Sequence, residues 1–310
     1  MTSSASRANH ARIRGYDIPS PARPSATLAA LVGAGGLLLA ACGGGGAGED
    51  AGGAPQIVVS SYPVQFLADA IGGEDAEVSN VVPAGAEPHD VELGPRDVFA
   101  MGEADLVVTV SGFQPAVDAA AADSENVLDL AATVDLVERD GALDPHFWLD
   151  PARMVAATEA ISEALSSADP GNEDGYRERA AAVRAELEDL DAAFLDRLGE
   201  CTYDSFVTGH AAFGYLADAY GLTEIAVAGI DPETEPSPAA LANVREEIAD
   251  LGLPIVFAEP GETKIAKVLA EELDIDYGVL NPIEAVADGE DYLTLMYANL
   301  DALEGGLQCR

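Results

Sequence analysis

The chain has 310 residues and is strongly acidic, because 55 aspartates and glutamates against 15 lysines and arginines give a formal net charge of −40. Such a charge argues against nucleic acid and anionic membrane surfaces as partners, since both would repel it. Hydrophobic residues make up 48% of the chain and aromatic residues 6%. We therefore expect a folded protein with a mainly aliphatic core.

Residues 1–41 have the pattern of an export signal. Four arginines precede the apolar stretch LAALVGAGGLLLAA, which is too short for a comfortable transmembrane helix and runs into Cys42. The tetrapeptide LAAC resembles the bacterial lipoprotein signal, in which the cysteine becomes the lipidated N-terminus. The glycine-rich residues 42–55 are predicted to form a flexible tether. The alternative is an ordinary cleaved signal peptide in which Cys42 has no role.

Beyond the tether, short β-branched runs alternate with helical patterns such as YPVQFLADAIGG. This alternation predicts an α/β fold with parallel strands covered by helices. The predicted strands are 56–60, 77–83, 105–110 and 126–130 in the first half, and 206–209, 224–228, 254–258 and 276–280 in the second.

Residues 174–199 are predicted to form one long amphipathic helix, because apolar residues recur there at spacings of three and four. At about 1.5 Å per residue this helix would run close to 40 Å, enough to lie across two domains. We expect an N-terminal α/β lobe at 56–172, a linking helix at 173–199 and a C-terminal α/β lobe at 200–310.

The cysteines indicate a disulfide bond. If Cys42 carries lipid, Cys201 and Cys309 remain, an even number in an exported protein. A bond between them would tie the C-terminal tail to the start of the last third of the chain. The alternative is two free thiols.

Three histidines lie at or just past predicted strand ends, where open parallel sheets place their binding loops. They are His89 in PAGAEPHDVELGP, His146 in LDPHFWLDP and His210 in FVTGHAAFGYLADAYGL. A single histidine usually forms ordinary hydrogen bonds, but three in such positions favour a transition-metal site. A ligating imidazole also needs its second nitrogen held, commonly by a carboxylate. Nearby candidates for that role are Asp90, Asp144 and Asp150.

The ligands would come from separate loops, because the chain has no HExxH segment that places two histidines on one helical turn. His89 and His146 belong to the first predicted lobe and His210 to the second. A metal that binds all three would lie in the cleft between the lobes, a common place for small ligands.

Five motifs occur in order along the chain: GAEPHD, DPHFWLDP, TGHAAFGYLADAYGL, FAEP and LNPIEAVADGEDYLTLMYANLDAL. Together they resemble the zinc and manganese solute-binding lipoproteins of ABC importers, from about residue 56 to the C-terminus. The resemblance implies two lobes joined by one long helix, with His89, His146 and His210 as metal ligands. Zinc-type members have histidine at the third position and manganese-type members have glutamate. His210 therefore favours zinc, which nitrogen ligands also suit better.

The sequence departs from the family pattern at the fourth ligand. Where the family commonly has aspartate, this chain has Asn281, whose neutral amide is a weaker metal partner. Asn281 is thus the positional candidate, with Glu87, Glu259 or water as alternatives. A more ordinary role for Glu259 is to brace a loop. The histidine-rich loop of many zinc-type members is also missing, since residues 111–143 contain no histidine.

From these observations we expect a monomeric protein, not an enzyme, that is exported and held by lipid at the extracytoplasmic face of the cell membrane. It would bind zinc and deliver it to the permease of an ABC importer. A zinc hydrolase with Glu259 or Glu87 as general base is one alternative. An adhesin or structural lipoprotein is another.

Overall fold

The computed structural model describes residues 53–310, except residues 140, 233, 262, 287 and 288. The expected signal segment, Cys42 and most of the expected tether lie outside the described residues. Within the described ranges, no helix is both long enough and apolar enough to cross a bilayer.

The first half of the described chain forms a parallel sheet of four strands in the order β2-β1-β3-β4. The strands are β1 (Gln56–Val59), β2 (Glu77–Asn80), β3 (Leu106–Thr109) and β4 (Val127–Asp129). The helices between them are α1 (Tyr62–Gly72), α2 (Pro95–Glu103) and α3 (Pro115–Ala121). Strand β3 is buried along its whole length, which explains why it is a continuous apolar run. The four strands predicted for this half are all present.

The second half contains two parallel strand pairs, β7 with β8 and β9 with β10, and β7 lies beside β9. The strands are β7 (Ser205–Thr208), β8 (Thr223–Ala226), β9 (Ile255–Ala258) and β10 (Asp276–Val279). The helices are α6 (Gly214–Tyr220), α7 (Pro238–Leu251), α8 (Lys264–Leu273) and α9 (Tyr292–Gly306). The four strands predicted here are also present, within two residues of the predicted ends.

An antiparallel hairpin that the sequence analysis did not predict lies between the two halves. Its strands are β5 (Glu138–Arg139) and β6 (Ala142–Leu143). The strands have only two residues each, which is too short for an alternating pattern to be recognised.

The predicted long helix is confirmed as α5 (Glu173–Arg197), whose apolar stripe is buried. It packs against α1 from the first half and α9 from the second. Helix α4 (Pro151–Ala168) precedes it and packs along it, but was not predicted. Its start signals are present, since Asp150 accepts a hydrogen bond from the backbone N–H of Ala152, and Pro151 is the first helical residue.

The largest cluster of buried hydrophobic residues includes side chains from both halves and from the α4–α5 pair. The division into lobes at 56–172 and 200–310 remains a prediction. The predicted disulfide between Cys201 and Cys309 is present. It joins the segment after α5 to the C-terminus, where the backbone N–H of Thr202 also donates to the carbonyl of Leu307 (3.1 Å).

Candidate metal centre

The three histidines that the sequence analysis singled out meet at one carboxylate, Glu284. One potential ligand atom from each of the four side chains lies within 4.8 Å of the others. The Nε2 atoms of His146, His89 and His210 lie 2.6, 3.1 and 3.4 Å from Oε1 of Glu284. Only 9% of His89, 6% of Glu284 and 1% or less of the other two residues is exposed. The cluster is therefore almost completely shielded from solvent.

His89 lies in the loop between β2 and α2. The side-chain amide of Gln114 donates to the carbonyls of Ser60 (2.8 Å) and Pro88 (2.9 Å), which ties this loop to the end of β1. The backbone N–H of His89 donates to Oε1 of Glu87 (2.9 Å). These contacts fix the backbone that carries the first imidazole.

His146 immediately precedes a short 3-10 turn at Phe147–Leu149. Oδ1 of the fully buried Asp144 accepts the backbone N–H of His146 (3.0 Å) and lies 2.8 Å from its Nδ1. When Nδ1–H donates to Asp144, Nε2 carries the free lone pair that a metal requires. Asp144 thus orients His146 with Nε2 toward Glu284.

His210 follows β7 and is braced by Glu259, which follows β9. Oε1 of Glu259 accepts the backbone N–H of His210 (3.1 Å) and lies 2.7 Å from its Nδ1. Gly209 makes this brace possible, since a Cβ there would lie 2.5 Å from the same oxygen. Nε2 of His210 is buried and has no hydrogen-bond partner of good geometry. Buried polar atoms are normally hydrogen-bonded, so a buried imidazole nitrogen without a partner agrees with a role as a metal ligand.

Glu284 lies in the loop after β10, where the backbone is strained. Ile283 has a φ of 60°, a left-handed conformation that costs a β-branched residue about 1–3 kcal/mol. The Asn281 side chain accepts the backbone N–H of Ile283 (2.8 Å), and Trp148 Nε1 donates to the carbonyl of Pro282 (2.7 Å). The loop is thereby held in the conformation that directs Glu284 at the histidines.

The fourth member of the cluster differs from the sequence expectation. Asn281 was the positional candidate, but its side-chain oxygen is engaged within its own loop. Glu87 and Glu259, the other candidates, hold the loops of His89 and His210. Glu284 was missed although it lies three residues beyond Asn281 in the same LNPIE segment. A carboxylate in that segment was the signal that could have revealed it.

The three carboxylates suggested as braces for the histidines have different roles. Asp144 orients His146, as described above. Asp150 caps the start of α4, and Asp90 is exposed. Proximity in sequence therefore identified one brace of the three, while Glu259 comes from a distant part of the chain.

The buried histidines and carboxylates of the cluster shift one another's pKa values. Burial alone would lower the pKa of His210, but the hydrogen bond to Glu259 and the nearby carboxylate of Glu284 raise it to about 10. The pKa of His146 is raised in the same way by Asp144 and Glu284, against the effect of burial. Burial would raise the pKa of Glu284, but the hydrogen bonds from the histidines hold it well below its ordinary value. The neighbouring carboxylates thus favour the protonated forms of His146 and His210.

Three imidazole nitrogens and one carboxylate oxygen form a donor set that suits zinc, which prefers four nitrogen, sulfur or oxygen ligands. The unpartnered Nε2 of His210 and the two carboxylate braces on Nδ1 atoms agree with such a role. The arrangement can bind a divalent transition metal by releasing protons.

This fold and site define a metal-binding protein of the solute-binding class. Residues 57–306 match the family described as "ZnuA: Zinc-uptake complex component A periplasmic". The chain belongs to this family. It is 32% identical over 283 residues to the zinc-binding lipoprotein AdcA of Streptococcus pneumoniae, a match that covers 83% of this chain and 56% of that protein. The high-affinity zinc uptake system protein ZnuA of Bacillus subtilis is 29% identical over 277 residues, covering 81% of this chain and 87% of the relative. The chain therefore spans little more than half the length of the AdcA relatives.

Solved structures show the same fold. The Zn(II)-bound ZnuA-like domain of S. pneumoniae AdcA matches with a TM-score of 0.73 and 31% identity, covering 82% of this chain and 99% of that domain. The laminin-binding protein Lmb of Streptococcus agalactiae, described as a bifunctional protein with adhesin and metal transporting activity, matches with a TM-score of 0.77 and 30% identity. That match covers 82% of this chain and 99% of Lmb.

Proposed function

We propose that this chain captures zinc outside the cytoplasm and presents it to the permease of an ABC importer. The Nε2 atoms of His89, His146 and His210 and the carboxylate of Glu284 would bind the metal. The observation that carries the proposal is the convergence of three imidazole nitrogens on one buried carboxylate. The family and its relatives, which are named for zinc uptake and zinc binding, support the same function.

The number of protein ligands favours capture over catalysis. A catalytic zinc site usually has three protein ligands and keeps one position open for water or substrate. Here Glu284 adds a fourth protein donor to the three histidines. A site closed in this way protects the ion from solvent and suits a protein whose cargo is the metal itself.

The partners and the location belong to the same proposal. Lipid on Cys42 would anchor a monomer at the extracytoplasmic face of the membrane, close to the permease. The names of the AdcA relatives, which are described as lipoproteins, support this anchoring.

The first test is metal content by mass spectrometry after the purified protein has been exposed to equal zinc and manganese. We expect one zinc per chain, lost in His89→Ala, His146→Ala and His210→Ala. Asp90→Asn is the matched control, because it removes an exposed carboxylate next to His89 without touching the cluster. Absence of zinc from the unsubstituted protein, or its retention in all three histidine variants, would overturn the proposal.

A second pair of variants tests the fourth ligand. Glu284→Gln removes the charge at the centre of the cluster and should weaken zinc binding. Asn281→Asp keeps an acceptor for the N–H of Ile283, so it should leave the zinc affinity nearly unchanged. If Asn281 were the ligand instead, the new carboxylate would bind zinc more tightly, and a large gain in affinity would contradict the assignment of Glu284.

A further inference from the structure

We propose that Arg139 is a positioning residue of the metal centre, acting through Asp144 on His146 and linking that ligand to the helix that follows His210. The inference rests on the proposed function, because its effect is measured as zinc binding. Arg139 belongs to the β5–β6 hairpin, a part of the chain that carries no ligand itself.

The first contact is with the carboxylate that orients His146. Nε of Arg139 donates to Oδ2 of Asp144 (3.0 Å), while Oδ1 of Asp144 holds both the backbone N–H and Nδ1 of His146. The two oxygens of this fully buried carboxylate are thus divided between the arginine and the histidine. A buried carboxylate is costly unless it is paired and hydrogen-bonded. Arg139 therefore pairs with Asp144 and holds it in place for His146.

The second contact extends to α6, which begins four residues after His210. Nη2 of Arg139 donates to Oδ2 of Asp218 on α6 (2.6 Å). A guanidinium group is a rigid planar fork, so one arginine can hold two carboxylates in a fixed relation. Asp218 is largely exposed, and the pair with it contributes little stability by itself. The pair with Asp218 instead sets the orientation of the Arg139 guanidinium group that holds Asp144.

The packing around Arg139 supports this role. Tyr215 on α6 accepts the backbone N–H of Val137 (2.7 Å) and donates to the carbonyl of Asp144 (2.8 Å). The guanidinium carbon of Arg139 lies 5.3 Å from the centre of the Tyr215 ring. A Cβ added to Gly214 would lie 2.7 Å from Nε of Arg139. The helix start is therefore shaped to receive this side chain.

These contacts join the loops of two ligands that are 64 residues apart in the numbering and come from different halves of the chain. The Asp144 brace fixes His146, and α6 fixes the end of the His210 loop. Loss of Arg139 should let Asp144 turn away and should loosen the distance between the two imidazoles, whose ring centres lie 5.3 Å apart. Removal of a partner that hydrogen-bonds a metal ligand typically weakens metal binding by about 10–100-fold. Arg139 acts one contact further out, through Asp144, so the loss should fall at the lower end of that range.

The test compares the purified protein with Arg139→Gln, Arg139→Lys and Arg184→Gln. Arg184 is the matched control, because it also pairs with two carboxylates, Glu159 and Glu188, but lies on the α4–α5 surface away from the cluster. Zinc affinity is measured by competition with a chromogenic chelator. The visible spectrum of the fully Co(II)-loaded protein is recorded as well, because it reports the geometry of the ligands and does not change when the fold is only less stable.

We expect Arg139→Gln to lose about tenfold in zinc affinity, the lower end of the range for an outer partner, and to shift the Co(II) spectrum. Arg139→Lys should recover part of the affinity, since an ammonium can pair with Asp144 but cannot hold Asp218 at the same time. Arg184→Gln should behave like the unsubstituted protein. An unchanged zinc affinity in Arg139→Gln would overturn the inference about Arg139 but leave the proposed function standing. A loss of affinity with an unchanged Co(II) spectrum would do the same. If the unsubstituted protein binds no zinc, the proposed function fails and this inference fails with it.

Discussion

Lowering the pH from about 9 to about 7 should weaken zinc binding by at least about a hundredfold, because a proton on His210 competes with the metal. The pKa of His210 is raised to about 10 by Glu259 and Glu284, against the effect of burial. Below that pKa, each unit of pH costs about a factor of ten in affinity for each proton that the metal must displace. The pKa of His146 is raised as well, so a second displaced proton would make the dependence steeper.

The assay is the zinc dissociation constant, measured by chelator competition at a series of pH values. Calorimetry in buffers with different ionisation enthalpies counts the protons released. Glu284→Gln should flatten the dependence, since Glu284 is one of the two carboxylates that raise the pKa of His210. An affinity that is constant between about pH 9 and about pH 7, and declines only below the ordinary histidine pKa of about 6.5, would refute the reasoning.

Two further predictions concern stability. In the metal-free protein, the raised pKa of His210 stabilises the fold. This contribution is complete below the pKa of about 6.5 that the histidine has in the unfolded chain, and it is lost as the pH rises through about 10. Urea denaturation of metal-free protein should therefore give a lower free energy of unfolding at about pH 9 than at about pH 7, by roughly 1–3 kcal/mol, and equal values would contradict the assigned proton. Trp148→Phe leaves the buried carbonyl of Pro282 without its donor, which should cost about 1–3 kcal/mol and speed zinc dissociation. The control is Phe194→Leu, which removes apolar volume in α5 far from the Glu284 loop. An equal rise in the zinc dissociation rate in both variants would count against the role of Trp148.

The parts of the site that lie next to regular elements could be predicted from the sequence. His89 and His210 follow strands, and the ends of parallel strands are where such sheets bind ligands. The sequence also indicates the central strands β1, β3, β7 and β9, because their apolar runs are buried on both faces. The long helix α5 was evident from its stripe of apolar residues, which must face the core.

The parts that depend on tertiary contacts could not be predicted. Glu284 reaches the histidines because Ile283 adopts a left-handed backbone conformation, which no local pattern of apolar and polar residues indicates. Its loop is held by Trp148, which lies 134 residues earlier in the chain. Its position within the motif points to Asn281, whereas the fold uses that side chain to support the loop. The contacts of Arg139 with Asp144 and Asp218 cannot be predicted either, because they form only when the two halves of the chain come together.

The contact between Gly209 and Glu259 has a consequence for the evolution of the chain. Any side chain at position 209 would need the space that the Glu259 carboxylate occupies. A relative with a larger residue at the position of Gly209 should therefore have displaced or lost the glutamate, and with it the acceptor that orients the third imidazole. The two positions should change together across the family, and a lineage in which both have changed would need another group to hold Nδ1 of that histidine.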